Sequence, residues 1–185
     1  MSACPPGWDE NPTAWRKRRR VAILALAGLC VSGYLTLYQV RAIGGPWDPF
    51  FGDGSRRVLD WTYPLPDAAL GLLAYALEIG LTFVGGADRW RTAPWTVVAF
   101  GFVIACGAVT SVALMIIQPL AVGDWCALCL CSAALSLIIL PLGIDEVLAG
   151  LQHLARVRLA GESVWQALWT DTPRHPRRRP LRAWR

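Results

Sequence analysis

The sequence predicts an all-α membrane protein: a polytopic four-helix bundle with an outer loop segment and a cytoplasmic C-terminal amphipathic helix and tail. Three observations carry this. Apolar runs long enough to cross about 30 Å of hydrocarbon recur along the chain. Only 17% of the residues are charged and 55% are hydrophobic, against roughly 25% charged in ordinary soluble domains. The charges are also segregated into residues 10–20, 48–60, 88–91 and the stretch after 143. A soluble globule needs polar residues interspersed at helical or strand period, and the runs between these clusters lack them.

Residues 1–20 form a polar tail ending in Arg16-Lys17-Arg18-Arg19-Arg20. Residues 21–40 are the first span. The run is too long for the apolar part of a signal peptide and no small-x-small cleavage site ends it, so it is expected to be retained. The arginines before it place the tail in the cytoplasm. Tyr34 and Tyr38 fall toward the outer end.

Residues 41–66 are polar and carry the turn signals Gly44-Gly45-Pro46, Gly52-Asp53-Gly54 and Pro64-Leu65-Pro66. Trp47, Phe50, Phe51 and Trp61 make this outer segment aromatic, so it is expected to lie on the membrane surface or to cap the bundle. Residues 55–61 can form a short amphipathic helix.

The second span covers residues 67–84, with Asp67 as its N-cap. Glu78 lies within it. A carboxylate inside a membrane is a functional candidate, but its depth favours a residue near the inner end that reaches water or a basic partner. Residues 85–93 make an inner loop bearing Arg89 and Arg91.

The third span covers residues 94–120. Cys106, Gly107, Thr110 and Ser111 give it a small-residue side suited to close packing, with Cys106 a packing residue. Gln118-Pro119 ends it. The turn at residues 121–123 is so short that the third and fourth spans must be antiparallel neighbours.

Residues 124–144 are the fourth span, completing a membrane domain over 21–144. Residues 145–185 return to the cytoplasm. Val147, Leu148, Leu151 and Leu154 recur at helical spacing and predict an amphipathic helix on the inner surface. Residues 173–185 read as a solvated basic tail. The protein is therefore expected in the cell membrane, with both termini cytoplasmic and the start of the fourth span at the outer face.

The net charge is +5. The basic residues flank the spans, so orientation explains them, and no basic-aromatic interleaving points to nucleic acid.

Six cysteines are present, and Cys126 and Cys129 stand out. Three residues apart on a helix, they share a face, about 300° of turn from one another. A Cys-x-x-Cys pair at the outer mouth of a span suits a reversible dithiol/disulfide, and the outside is where disulfides persist. If Asp124 caps the helix, Cys126 lies in the first turn, where the dipole favours a thiolate. Cys129, one turn deeper, would be the buried partner facing a bound carrier. Cys131 is about 200° round from Cys129 and is expected to be structural. A metal site built from Cys126, Cys129 and Cys131 is the rival, but it lacks a fourth ligand and one shared face. The bland alternative is a pair of small apolar residues in a helix.

The chain resembles the vitamin K epoxide reductase family. The likeness rests on Asp124-Trp125-Cys126-Ala127-Leu128-Cys129 after a short outer turn, on Ser55-Arg56-Arg57-Val58-Leu59, and on the stretch from Pro66 to Tyr75 that opens the second span. It implies a four-helix bundle around a quinone of the menaquinone, ubiquinone or phylloquinone type. Cys126 would exchange disulfides, Cys129 would react with the quinone, and Asp60-Trp61 would fall near the residue that contacts it. The implied partners are membrane lipid and a separate thioredoxin-like protein on the outer face. One departure is plain. The family's outer loop carries its own cysteine pair, whereas here no cysteine lies between Cys30 and Cys106, and Trp47 and Ser55 stand near those places. Two functions follow: a thiol-disulfide/quinone oxidoreductase, or a non-catalytic bundle that binds a quinone or a partner membrane protein.

Overall fold

In the computed structural model, residues 4–62, 64 and 66–169 are described, so residues 173–185 lie outside them. The described residues are helical, with no strand among them. The helices are α1 (Trp15–Gln39), α2 (Gly54–Trp61), α3 (Asp67–Phe83), α4 (Arg89–Thr92), α5 (Pro94–Ile117), α6 (Ala127–Leu159) and α7 (Val164–Trp169). The helices α1, α5 and α6 are each long and apolar enough to cross a membrane, α5 together with the turn that follows it. The fourth bundle helix, α3, has 17 residues, about 26 Å at 1.5 Å per residue. The pairs α1–α3, α3–α5, α5–α6 and α6–α1 all pack, which closes a ring of four. One end of the ring carries the long loop and α2; the other carries the first and last of the described residues.

Small residues let the helices approach closely. The ring of Tyr75 lies over Gly28, where a Cβ would stand 2.3 Å from it. On the α5–α6 side, Gly143 receives Phe100 and Gly150 receives Val97. Val21, Ala25, Tyr75, Phe100, Ile104 and Ile139 fill the space between. Replacing Gly28 with alanine should therefore overpack a site that cannot yield easily, at about 1–3 kcal/mol. Thermal unfolding in detergent should show a clear loss for Gly28→Ala and little change for Gly80→Ala, where a Cβ meets nothing within 4 Å.

Four expectations change. Helix α1 begins at Trp15, because the basic run before the apolar residues contains good helix formers and no breaker. Helix α6 does not stop near residue 144. It continues to Leu159, so Val147, Leu148, Leu151 and Leu154 extend it rather than forming a separate amphipathic helix. No stop signal stands between Gly143 and Gly161, whose φ of 77° ends the helix, and Pro141 is tolerated within it. The short α7 folds back, with Trp169 stacked on Trp95 at 5.9 Å. Cys106 is exposed on α5, as are Cys30 and Cys131 on α1 and α6; the packing face of α5 is the side of Ile104, Ala108 and Ser111.

The inner-loop arginine Arg89 is not a solvated orienting charge. It is fully buried and pairs with Glu146 of α6, with Nη2–Oε2 at 2.7 Å and a second contact from Nε. Its Nη1 donates to the carbonyls of Leu81 and Val84. Arg18 of α1 donates to the carbonyls of Thr82, Val84 and Gly85. The two guanidinium forks thus satisfy the orphan carbonyls at the end of α3. The N-terminal segment is tied down as well, by Trp8 to Gln152 at 2.9 Å and Asn11 to the carbonyl of Ala87 at 2.8 Å.

Candidate active site

At the loop end, α5 gives way to one wider turn over Gln118–Val122, closed by Gly123 in the left-handed region at φ 75°. Trp125 and Cys126 are not yet helical, and α6 starts at Ala127. Cys126, not Asp124, is the N-cap: its sulfur accepts the Cys129 N–H at 3.1 Å. Asp124 is held instead by Arg57 of α2, at 2.9 Å. Cys126 and Cys129 are disulfide-bonded, with their Cα atoms 5.2 Å apart.

The surroundings of the two sulfurs differ, but in the opposite sense to expectation. Cys126 is 0% exposed, whereas Cys129 is only partly buried. The start of α2 lies against the residue before Cys126, so close that a Cβ on Gly54 would stand 2.4 Å from the carbonyl oxygen of Trp125. Cys129, like its neighbour Leu128, packs against the cluster of Leu35, Tyr38 and Leu59, which makes an apolar wall from α1, α2 and α6. Cys131 faces outward, away from the pair.

Sequence reasoning missed two residues that hold this arrangement. Gln118, read as a helix terminator, is buried, and its Oε1 accepts the Cys126 N–H at 2.9 Å. Asp48 ties the loop down: one carboxylate oxygen accepts from the N–H groups of Phe50 and Phe51, and the other from the N–H and hydroxyl of buried Ser55, the latter at 2.6 Å. The Asp48-Pro49 dipeptide was the available signal, as an Asx turn starter. Burial alone would raise the Asp48 carboxyl. The hydrogen bonds from Ser55, Phe51, Phe50 and the Ala127 backbone outweigh it and bring it down to about 2.

A depressed carboxylate stabilises the closed loop at every pH above its ordinary range, and that contribution is lost only as pH falls through about 2. Reduction of the disulfide by a soluble phosphine, normalised to an exposed disulfide, should therefore not quicken between pH 7 and 4. Asp48→Asn, which cannot accept all these bonds, should quicken it about tenfold at pH 7.

Of the residues expected near a carrier, Asp60 accepts from the Tyr38 hydroxyl at 2.9 Å and pairs with Arg41 at 3.3 Å. Asp60 therefore meets the wall around Cys129 through Tyr38. Trp61 is largely exposed, as are Trp47, Phe50 and Phe51. Glu78 does not reach water or a basic partner. It is 1% exposed inside the bundle.

Comparison with curated proteins and with solved structures gives no match. The sequence pattern of the vitamin K epoxide reductase family matches residues 20–144, which takes in the four bundle helices as far as the middle of α6, the loop with α2, and the Cys126–Cys129 pair. A match over that much of the chain, on an all-helical fold with membrane-length helices, makes this protein a member of the vitamin K epoxide reductase family.

Proposed function

We propose that the protein is a membrane thiol-disulfide/quinone oxidoreductase in which Cys126 and Cys129 carry the electrons. A separate thioredoxin-like dithiol protein reduces the pair at the loop end. The resulting thiols then reduce a quinone of the menaquinone, ubiquinone or phylloquinone type: two thiols and the quinone give the disulfide and the quinol, with two electrons and two protons transferred. Cys126 exchanges with the partner and Cys129 meets the quinone. The observation that carries this is the asymmetric disulfide at the mouth of α6, one sulfur buried and the other on an apolar wall.

The wall suits an apolar ring. Leu35, Leu59 and Leu128 would flank it, and the Tyr38–Asp60 pair supplies the nearby polar group, with Trp61 at the rim. Because the loop lacks cysteines to shuttle electrons, the partner must exchange with Cys126 directly, and this needs α2 to lift. The loop end faces outside and both termini lie in the cytoplasm.

The sealed Cys126 also favours a second reading, a bundle that binds a quinone or a partner membrane protein without turnover. Purified protein in lipid, given a soluble dithiol and a quinone, decides between them. Steady quinol formation supports the enzyme; quinone binding with no quinol formed supports the second reading.

A further inference from the structure

Glu78 is a carboxylate sealed inside a bundle of membrane-length helices, and its Oε2 has no hydrogen-bond partner. No cation pairs with it among the described residues, whereas the other buried carboxylate, Glu146, is fully engaged by Arg89. An unpaired buried charge costs several kcal/mol, and holding a proton removes that charge. A residue so placed is retained for a purpose other than stability.

Its neighbours suggest the purpose. A Cβ on Gly107 would stand 3.7 Å from Oε1 of Glu78 and 3.8 Å from the hydroxyl of Ser136, so both oxygens face one gap against α5. Ser136 lies 2.9 Å from the Tyr75 hydroxyl. That hydroxyl lies 2.6 Å from the Ser132 carbonyl and 3.3 Å from its hydroxyl. Ser132 is one helical turn below Cys129. Hydroxyls thus run along α6 from Ser136, which shares the Gly107 gap with the carboxyl, through Tyr75 to Ser132, and Ser136 stands roughly 10 Å along the helix from Cys129. On the far side, Thr82 is one turn from Glu78 and lines a cavity the size of about one water, together with Lys17, Arg18, Arg89 and Glu146.

We propose that Glu78 is a proton-supplying positioning residue for quinone reduction, acting through Ser136, Tyr75 and Ser132. This rests on the oxidoreductase reading above. When two thiols become a disulfide, two electrons and two protons leave them, and the quinone takes up two of each. One quinol proton comes from a thiol and one from Glu78 along the hydroxyl file. The other thiol proton leaves to water at the loop end. Glu78 regains its proton from water at the opposite end, past Thr82. One turnover therefore takes up a proton at one end of the bundle and releases one at the other.

The titratable and charged groups around this path are few. Tyr75 faces Glu78 on its own helix, with Cys131 of α6 near enough to act on Tyr75; Arg18 of α1, Arg89 of α4 and Glu146 of α6 ring the cavity below, with Lys17; Gly107 is the α5 residue against the carboxyl. The acid form is the donor, so the wild-type quinone step should slow as pH rises through the titration of Glu78.

The test is stopped-flow quinol formation by the pre-reduced chain in lipid vesicles, across pH. Glu78→Gln should slow this step about 10²-fold and abolish its alkaline fall. Reduction of the disulfide by a soluble dithiol should be unchanged, and Glu78→Asp should restore part of the rate. A protonated-carboxyl infrared band that Glu78→Gln removes should shift when quinone is added. If Glu78→Gln does not fold, Tyr75→Phe breaks the same file and should give the same loss of pH dependence. Wild-type rate and profile in Glu78→Gln, alongside Cys129-dependent quinol formation in the parent, would overturn this proposal alone. Absence of Cys129-dependent quinol formation in the parent would overturn the underlying reading and this one with it.

Discussion

Replacing Cys129 by serine is expected to cut quinone reduction at least about 10³-fold, to background. A hydroxyl cannot form the disulfide that stores the two electrons, so no compensating path exists within the chain. The fold should survive. A disulfide closing a turn of three residues removes little entropy from the unfolded chain, and serine fits where sulfur packs against Leu35 and Leu59. The freed Cys126 thiol should then be trapped as a mixed disulfide with a thioredoxin-like protein, since exchange needs only one sulfur. Cys126→Ser should lose quinone reduction equally but form no such adduct. Equal trapping by both variants would mean that the roles of the two sulfurs are not divided as proposed.

The second large effect concerns stability. Arg89→Ala should destabilise the bundle by about 3–5 kcal/mol, because it strands the Glu146 carboxylate in the interior. It also leaves the Leu81 carbonyl without its side-chain donor and the Val84 carbonyl with Arg18 alone. Removing both charges together, as Arg89→Leu with Glu146→Leu, should recover a good part of the loss, since hydrophobic pairs often replace buried ion pairs at little cost. Thermal unfolding of the single and double variants in detergent checks this. A double variant no better than Arg89→Ala would assign the loss to the α3 carbonyls instead.

The fold was legible because a membrane imposes a coarse code. Runs of about 20 apolar residues and segregated charge mark helices without any knowledge of packing. The apolar run at residues 67–84 is helical as α3 over Asp67–Phe83, and the amphipathic stretch at residues 55–61 falls within α2, with Val58 and Leu59 turned inward. Where helices ended at tertiary contacts, the code gave out. The change from apolar to charged residues at 145 marked the end of the apolar run and not of α6, and nothing local showed that Arg18 and Arg89 would cap α3.

The candidate site was legible to the extent that it is local. Cys126 and Cys129 were chosen by spacing and place in the chain, and they are bonded in the structure. The burial order failed because it depends on which part of the distant loop covers the helix end. Asp48 and Gln118 contribute through hydrogen bonds to that end, and no periodicity announces them. The depth argument for Glu78 counted residues to the helix end and ignored what surrounds them; Gly107 and Ser136 enclose it on α5 and α6.

The most direct test is a single-turnover count. The chain is reduced, freed of reductant, placed in lipid and mixed with one equivalent of quinone without oxygen; quinol is read by absorbance, and Cys126 and Cys129 by thiol alkylation and mass. One quinol formed for each Cys126–Cys129 bond formed is the expected result. Quinone left unreduced, with both thiols still open to alkylation, would contradict it.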